Sequence, residues 1–103
     1  MAQQEYAGVM VDVNESGYMT DLSQWTKEIA ADIAKEVQIE MTDKHWEIID
    51  YLQKCQKDGV TLSIRKVGKS GITDIKEFYA LFPGGPLKKS TKIAGIPKPA
   101  SCV

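Results

Sequence analysis

Two consecutive stretches of the chain place apolar residues three or four positions apart over several turns, and that period commits most of the molecule to helix-on-helix packing. From Asp21 to about Val37, the residues Leu22, Trp25, Ile29, Ile33 and Val37 fall on one stripe, with Thr20 or Asp21 as cap. A second helix starts at Thr42, a good N-cap, and Met41 before it can pack on Trp46 as a hydrophobic staple. Its stripe runs through Trp46, Ile49 and Leu52, with Ile48 and Cys55 beside it, until "KDG" ends the helix at Gly59.

The remaining segments attach to this helical frame. "EYAGVMVDVNESGYMT" alternates through Val9, Val11 and Val13, then turns at "NESG", which predicts a β-hairpin with Gly17 in the turn. "VTLSIRKVGKSGITDIKEFYALF" predicts a short helix around Ser63 to Val67, a glycine-rich turn, and a stronger helix from Thr73 that carries Ile75, Phe78, Tyr79 and Phe82 and stops at Pro83. A short helical turn is expected from Leu87 to about Ala94, closed by Gly95. "IPKPASCV" after it has the composition of an extended arm that adds little to a core. The expected architecture is mainly α with a small N-terminal β-hairpin: an orthogonal helical bundle with a helix-turn-helix-like segment and a flexible C-terminal arm. Residues 1–95 form one globular domain, and residues 96–103 a mobile arm carrying a cysteine.

At 103 residues the chain supports one modest core. No run reaches the roughly 18 to 20 apolar residues of a membrane helix, and the first ten residues lack the basic start and apolar stretch of a signal peptide. Membrane insertion is therefore not expected, and the cytoplasm is the expected compartment. There thiols are kept reduced, so Cys55 and Cys102 read as individual thiols rather than a bridge. The net charge of −1 hides an asymmetry, with −7 on residues 1–58 and +6 on residues 59–103. A basic C-terminal half suits either an anionic partner or attraction between the two halves.

Cys102 is the foremost chemical candidate, since a tail has little means of burying a thiol and two prolines stiffen this one without pinning it. From Gly95 to Cys102 the chain spans at most about 23 to 25 Å, enough to enter a deep partner site. Only ~3% of an ordinary thiol is ionised at pH 7. Lys92 and Lys98 favour the thiolate and the carboxylate of Val103 opposes it, so activation is expected to come from the partner's pocket. Cys55, on the edge of a helix stripe, reads as a small buried hydrophobe. His45 is the single histidine; with two cysteines 47 residues apart it makes no zinc-ligand pattern, so no metal site is expected.

Residues 60–82 share the outline of a DNA-reading helix-turn-helix, but "TDIKEFYALF" sets Asp74 and Glu77 against phosphates with Lys76 as its one base, which argues against direct DNA binding. Arg65, Lys66 and Lys69 on the preceding turn suit a basic patch for a protein or RNA, or a plain solvated face. "PGGPLKK" matches no phosphate-binding fingerprint and reads as a rigid turn.

The stretch "LFPGGPLKKSTKIAGIPKPASCV" closely resembles the C-terminal signature of the DsrC/TusE family of small sulfur-carrier proteins. "DVNESGYM", "LSQW", "MTDKHWEIIDYLQ" and "SIRKV" resemble the family's hairpin, first-helix entry, second helix and third helix, so the likeness covers nearly the whole chain. The resemblance implies that Cys102 carries sulfur, which needs no cofactor; Arg65, Lys92 and Lys98 are the expected partner-binding residues. Family members that work with sulfite reductase carry a second tail cysteine at the position that here is Thr91, and a threonine can form neither the internal disulfide nor the trisulfide of a two-cysteine tail. The loop "KDGVTLS" also departs from the family, being slightly shortened and without the usual proline.

On this resemblance the chain looks like the single-cysteine, TusE-type branch. It is expected to act as a sulfur carrier or sulfurtransferase through a persulfide on Cys102, between a sulfur-donor protein and an acceptor, either a tRNA-thiolating enzyme or a sulfite-reductase-like complex. The alternative is a non-catalytic regulatory protein of sulfur metabolism that lost the second tail cysteine.

Overall fold

The computed structural model describes residues 2–60 and 62–97. Within them β1 (Ala2–Tyr6) and β2 (Val9–Val13) form a hairpin, a 3-10 turn spans Leu22–Gln24, and five helices follow: α1 (Lys27–Glu36), α2 (Asp43–Lys57), α3 (Ile64–Gly68), α4 (Ile75–Leu81) and α5 (Pro86–Ile93). No helix among these residues is long and apolar enough to cross a membrane.

The hairpin differs from the expected one. β2 pairs antiparallel with residues 2–6, Ala2 facing Val13 and Tyr6 facing Val9, through a turn at Ala7 and Gly8. Both turn residues hold positive φ, 52° and 78°, the geometry that matches strand twist in a two-residue turn. The Ala7 amide donates to Asp32 Oδ2 at 2.9 Å, which helps hold a conformation unusual for alanine. β1 carries no hydrophobic signal in the sequence, because "AQQEY" buries Tyr6 alone and shows no apolar alternation. The expected turn at "NESG" is also present, but it closes one isolated bridge, Val13 to Met19.

The first long helix is divided. Asp21 Oδ1 accepts from the Ser23 amide at 3.0 Å and caps the 3-10 turn; Trp25 is then extended, and Thr26 Oγ1 accepts from the Ile29 amide at 3.2 Å to start α1 afresh. Two caps five residues apart each compete for the backbone, and the stripe from Leu22 to Val37 survives as packing across the break.

α2 begins after Thr42 as expected, but its buried face is His45, Ile48, Ile49, Leu52 and Cys55, while Trp46 is half-buried. In α4, Phe78 is fully buried, as is Phe82 just past its end. Ile75 and Tyr79, expected on the same stripe, are 45% and 48% exposed. Seven helical residues give too short a stripe to bury all four.

α5 is more central than a short turn. Pro86 opens it at a position where no amide is needed, Leu87, Ser90, Thr91 and Ile93 are buried, and it packs against α1, α2 and α4. Ile96, expected in the arm and outside the core, is 1% exposed and belongs to the core. Pro97 is exposed; the rest of the expected arm, 98–103, lies outside the described residues.

Candidate functional site

Cys102 and Lys98 lie outside the described residues. What the structure describes is the base from which they extend, the C-terminal end of α5. A helix end leaves its last four carbonyls without intrahelical partners. Here the Ile96 amide donates to Thr91 O and the Gly95 amide to Lys92 O, each at 3.2 Å, with Gly95 at φ +72°: a Schellman closure. That leaves the carbonyls of Ile93 and Ala94. The indole Nε1–H of Trp25 donates to Ile93 O at 2.8 Å, and Gln53 Nε2–H donates to Ala94 O at 2.8 Å. Trp25 also lies so close to Gly95 that a Cβ built there would meet its Cδ1 at 2.5 Å. The exit of the C-terminal segment is thus held by the entry to α1, by α2 and by the buried Ile96 at once.

Neither Trp25 nor Gln53 stood out in the sequence as more than helix positions. The one signal for Trp25 was "LSQW", whose likeness to the family's first-helix entry contains it.

Thr91, which the resemblance sets opposite a second tail cysteine, lies inside α5 and is fully buried. Its hydroxyl donates to Leu87 O at 2.7 Å within the same helix. Lys92, expected to meet a partner or to favour the Cys102 thiolate, is instead engaged in the fold: its Nζ lies 3.3 Å from Glu36 Oε1. Glu36 Oε2 in turn accepts from the Tyr6 hydroxyl at 2.7 Å, so hairpin, α1 and α5 share one polar junction. Burial, then the hydrogen bond to Glu36, then the charges of Glu36 and Asp32 push the Tyr6 phenol well above its ordinary range.

Arg65 is exposed on α3 and lines a shallow groove of about 430 Å³ with Tyr51, Ser63, Lys66, Lys69 and Ser70. Arg65 and Lys92 therefore sit on different helices. Cys55 is buried one turn from Tyr51, as expected of a small hydrophobe. Burial, first, and a hydrogen bond with Cys55 raise the Tyr51 phenol. His45 is also committed to the fold. Its Nδ1 accepts from the Thr42 amide at 3.1 Å, so Nε2 carries the proton and donates to Leu81 O at 2.8 Å. Among the described residues, no group of three or more His, Cys, Asp or Glu could hold a metal ion.

The sequence model of the family described as "DsrC like protein" matches residues 5–103. A curated relative named sulfurtransferase TusE from Photorhabdus laumondii is 34% identical, covering 95% of this chain and 96% of its own. Another of that name from Buchnera aphidicola is 37% identical, covering 90% and 89%. Among solved structures, the oxidized gamma-subunit of the dissimilatory sulfite reductase, DsrC, from Archaeoglobus fulgidus is similar with a TM-score of 0.81 and 34% identity, covering 99% of this chain and all of that one. A structure named dissimilatory sulfite reductase I is similar with a TM-score of 0.83 and 35% identity over the same shares. The hairpin, the five helices and the C-terminal signature thus agree with one group of proteins along nearly the entire chain, and this chain belongs to the DsrC-like family.

Proposed function

We propose that this chain is a sulfur-relay protein in which Cys102 carries sulfane sulfur as a persulfide. The observation that carries the reading is the family match running from residue 5 through residue 103, which takes in Cys102 together with the turn and helix before it. The relatives named sulfurtransferase TusE, alike over nearly their whole length, support it.

The chemistry is an exchange without net oxidation. The Cys102 thiolate attacks the outer sulfur of a donor persulfide; a new S–S bond forms on Cys102 as the donor's S–S bond breaks, and the donor leaves as a thiolate that takes up a proton. Delivery is the same step in reverse roles, with an acceptor thiolate attacking the outer sulfur and Cys102 leaving as thiolate. Neither step needs a cofactor. The donor is a persulfide-bearing protein, and the acceptor a tRNA-thiolating enzyme or a sulfite-reductase-like complex. Arg65, exposed on α3, and Lys98 are proposed as cations that engage them. The reduced thiol this exchange requires suits the cytoplasm.

A second reading rests on Thr91. A protein that kept the fold and lost the second tail cysteine could bind a partner of sulfur metabolism without moving sulfur. Intact-mass spectrometry after incubation with a persulfide donor decides: one added sulfur that depends on Cys102 and not on Cys55 supports the carrier, and no addition supports the regulatory reading.

A further inference from the structure

We infer that the groove between α3 and Tyr51 of α2 is a docking surface for an acidic, extended segment of a partner protein, with Arg65, Lys66 and Lys69 receiving its carboxylates. The inference names the chemistry of a partner at Arg65; it rests on the reading of Arg65 as a partner-binding residue and not on the chemistry of Cys102.

Arg65 and Lys66 lie on α3 and Lys69 stands at its C-terminal cap, all three exposed. Among the described residues none of them forms an ion pair, whereas the fold engages cations elsewhere: Lys44 reaches Glu77 at 3.8 Å and Lys92 reaches Glu36 at 3.3 Å. Arg65 and Lys69 are one helical turn apart, so their charges repel. The end of a helix favours a cation, but one is enough, and the five residues of α3 have little dipole to answer. An anion held between the three removes the repulsion.

The cations share a concave surface of about 430 Å³ with Tyr51, Ser63 and Ser70, and no carboxylate borders it. Both serines are committed to the backbone: Ser63 Oγ accepts from the Lys66 amide at 3.1 Å, and Ser70 Oγ donates to Val67 O at 2.6 Å. Recognition is left to the cations, beside the half-buried ring of Tyr51. Arg and Tyr are among the residue types that most often carry binding energy at protein interfaces.

Spacing and surroundings select the occupant. Four residues of helix rise about 6 Å from Arg65 to Lys69, close to the ~6.6 Å between alternate side chains of an extended strand. A segment with Glu or Asp at every second position meets both. A nucleic acid suits the site less, because its affinity grows with the number of phosphates neutralised, and here that number stops at about three. Past Tyr51 the adjoining groove presents Glu47 and Asp50, and α4, packed on α3, begins with exposed Asp74 and Glu77. A long polyanion runs into these carboxylates, while a folded partner sets acids against α3 and bases against Asp50.

The probe is a peptide of alternating Glu and Gly, ten residues long, titrated into the isotope-labelled full chain and followed by amide chemical shifts. Shifts should concentrate on residues 63–70 and Tyr51, and the affinity should fall severalfold between about 50 and about 500 mM salt. Arg65→Gln with Lys69→Gln, both at exposed positions, should weaken binding about three- to tenfold. Lys88→Gln, an exposed cation of α5, should leave it unchanged. A ten-nucleotide oligouridylate at the same salt should bind more weakly than the peptide. Shifts spread evenly over the exposed lysines, or a double variant that binds as wild type does, would make the patch a solvated face and overturn the inference. Tighter binding of the oligouridylate at residues 63–70 would assign the groove to nucleic acid and overturn it equally. The titration uses no persulfide, so its failure leaves the carrier reading of Cys102 in place, and a wild type that gains no sulfur leaves the titration to decide the groove.

Discussion

The indole nitrogen of Trp25 donates to the carbonyl of Ile93 at 2.8 Å, joining the turn before α1 to the last turn of α5. Residues 68 apart in sequence thereby fix the end of the helix that precedes Cys102. Several consequences can be measured.

Gly95 and Gly59 share a φ of +72°, but a Cβ at Gly95 would strike Trp25 while nothing lies within 4 Å of one at Gly59. Gly59→Ala should cost about 1 kcal/mol for the left-handed backbone alone. Gly95→Ala should cost a further ~1–3 kcal/mol for displacing the ring. Thermal unfolding of the two variants measures the difference, and equal losses would mean the Trp25 contact is not tight.

His45 caps α2 with one nitrogen and holds the end of α4 with the other. His45→Ala leaves the Thr42 amide and Leu81 carbonyl without these partners and opens a void beside Phe82, a loss of ~2–4 kcal/mol. His45→Gln can still reach back to the Thr42 amide and should recover about 1 kcal/mol of it. Denaturant midpoints at neutral pH check the order wild type, Gln, Ala.

Tyr6 makes the fold sensitive to alkali. Its phenol is raised in the folded state by burial and by Glu36, so its contribution is complete below the unfolded phenol's pKa of about 10 and is lost as pH rises beyond it. Tyr6→Phe should cost about 1 kcal/mol at neutral pH by removing the hydrogen bond to Glu36. The gap between wild type and variant should then narrow above pH 10. A gap that is constant with pH would contradict the raised phenol.

The second helix was legible because cap and stripe agree at Thr42, and the expected starts near Ser63 and Thr73 fall within one residue of the caps Ser63 and Asp74. The break at Trp25 was hidden because apolar spacing ran straight through it, and spacing reports which residues face the core, not whether the backbone between them is continuous. β1 was hidden because a strand held by backbone pairing, with four of its five residues exposed, has no hydrophobic pattern to show. Polar residues of α5 misled differently. Ser90 and Thr91 are fully buried because their hydroxyls bond to Leu87 O in their own helix, which makes them compatible with a core. At the candidate site, Cys102 and Lys98 are read from the composition of the tail and lie beyond the described residues, whereas the hydrogen bonds of Trp25 and Gln53 are tertiary contacts with carbonyls that no local pattern marks.

The most direct test of the central claim is the intact mass of the protein after reaction with glutathione persulfide, for wild type, Cys102→Ser and Cys55→Ser. The account predicts one added sulfur on wild type and Cys55→Ser, none on Cys102→Ser, and unchanged thermal unfolding of Cys102→Ser. An added sulfur on Cys102→Ser, or none on wild type, would contradict it.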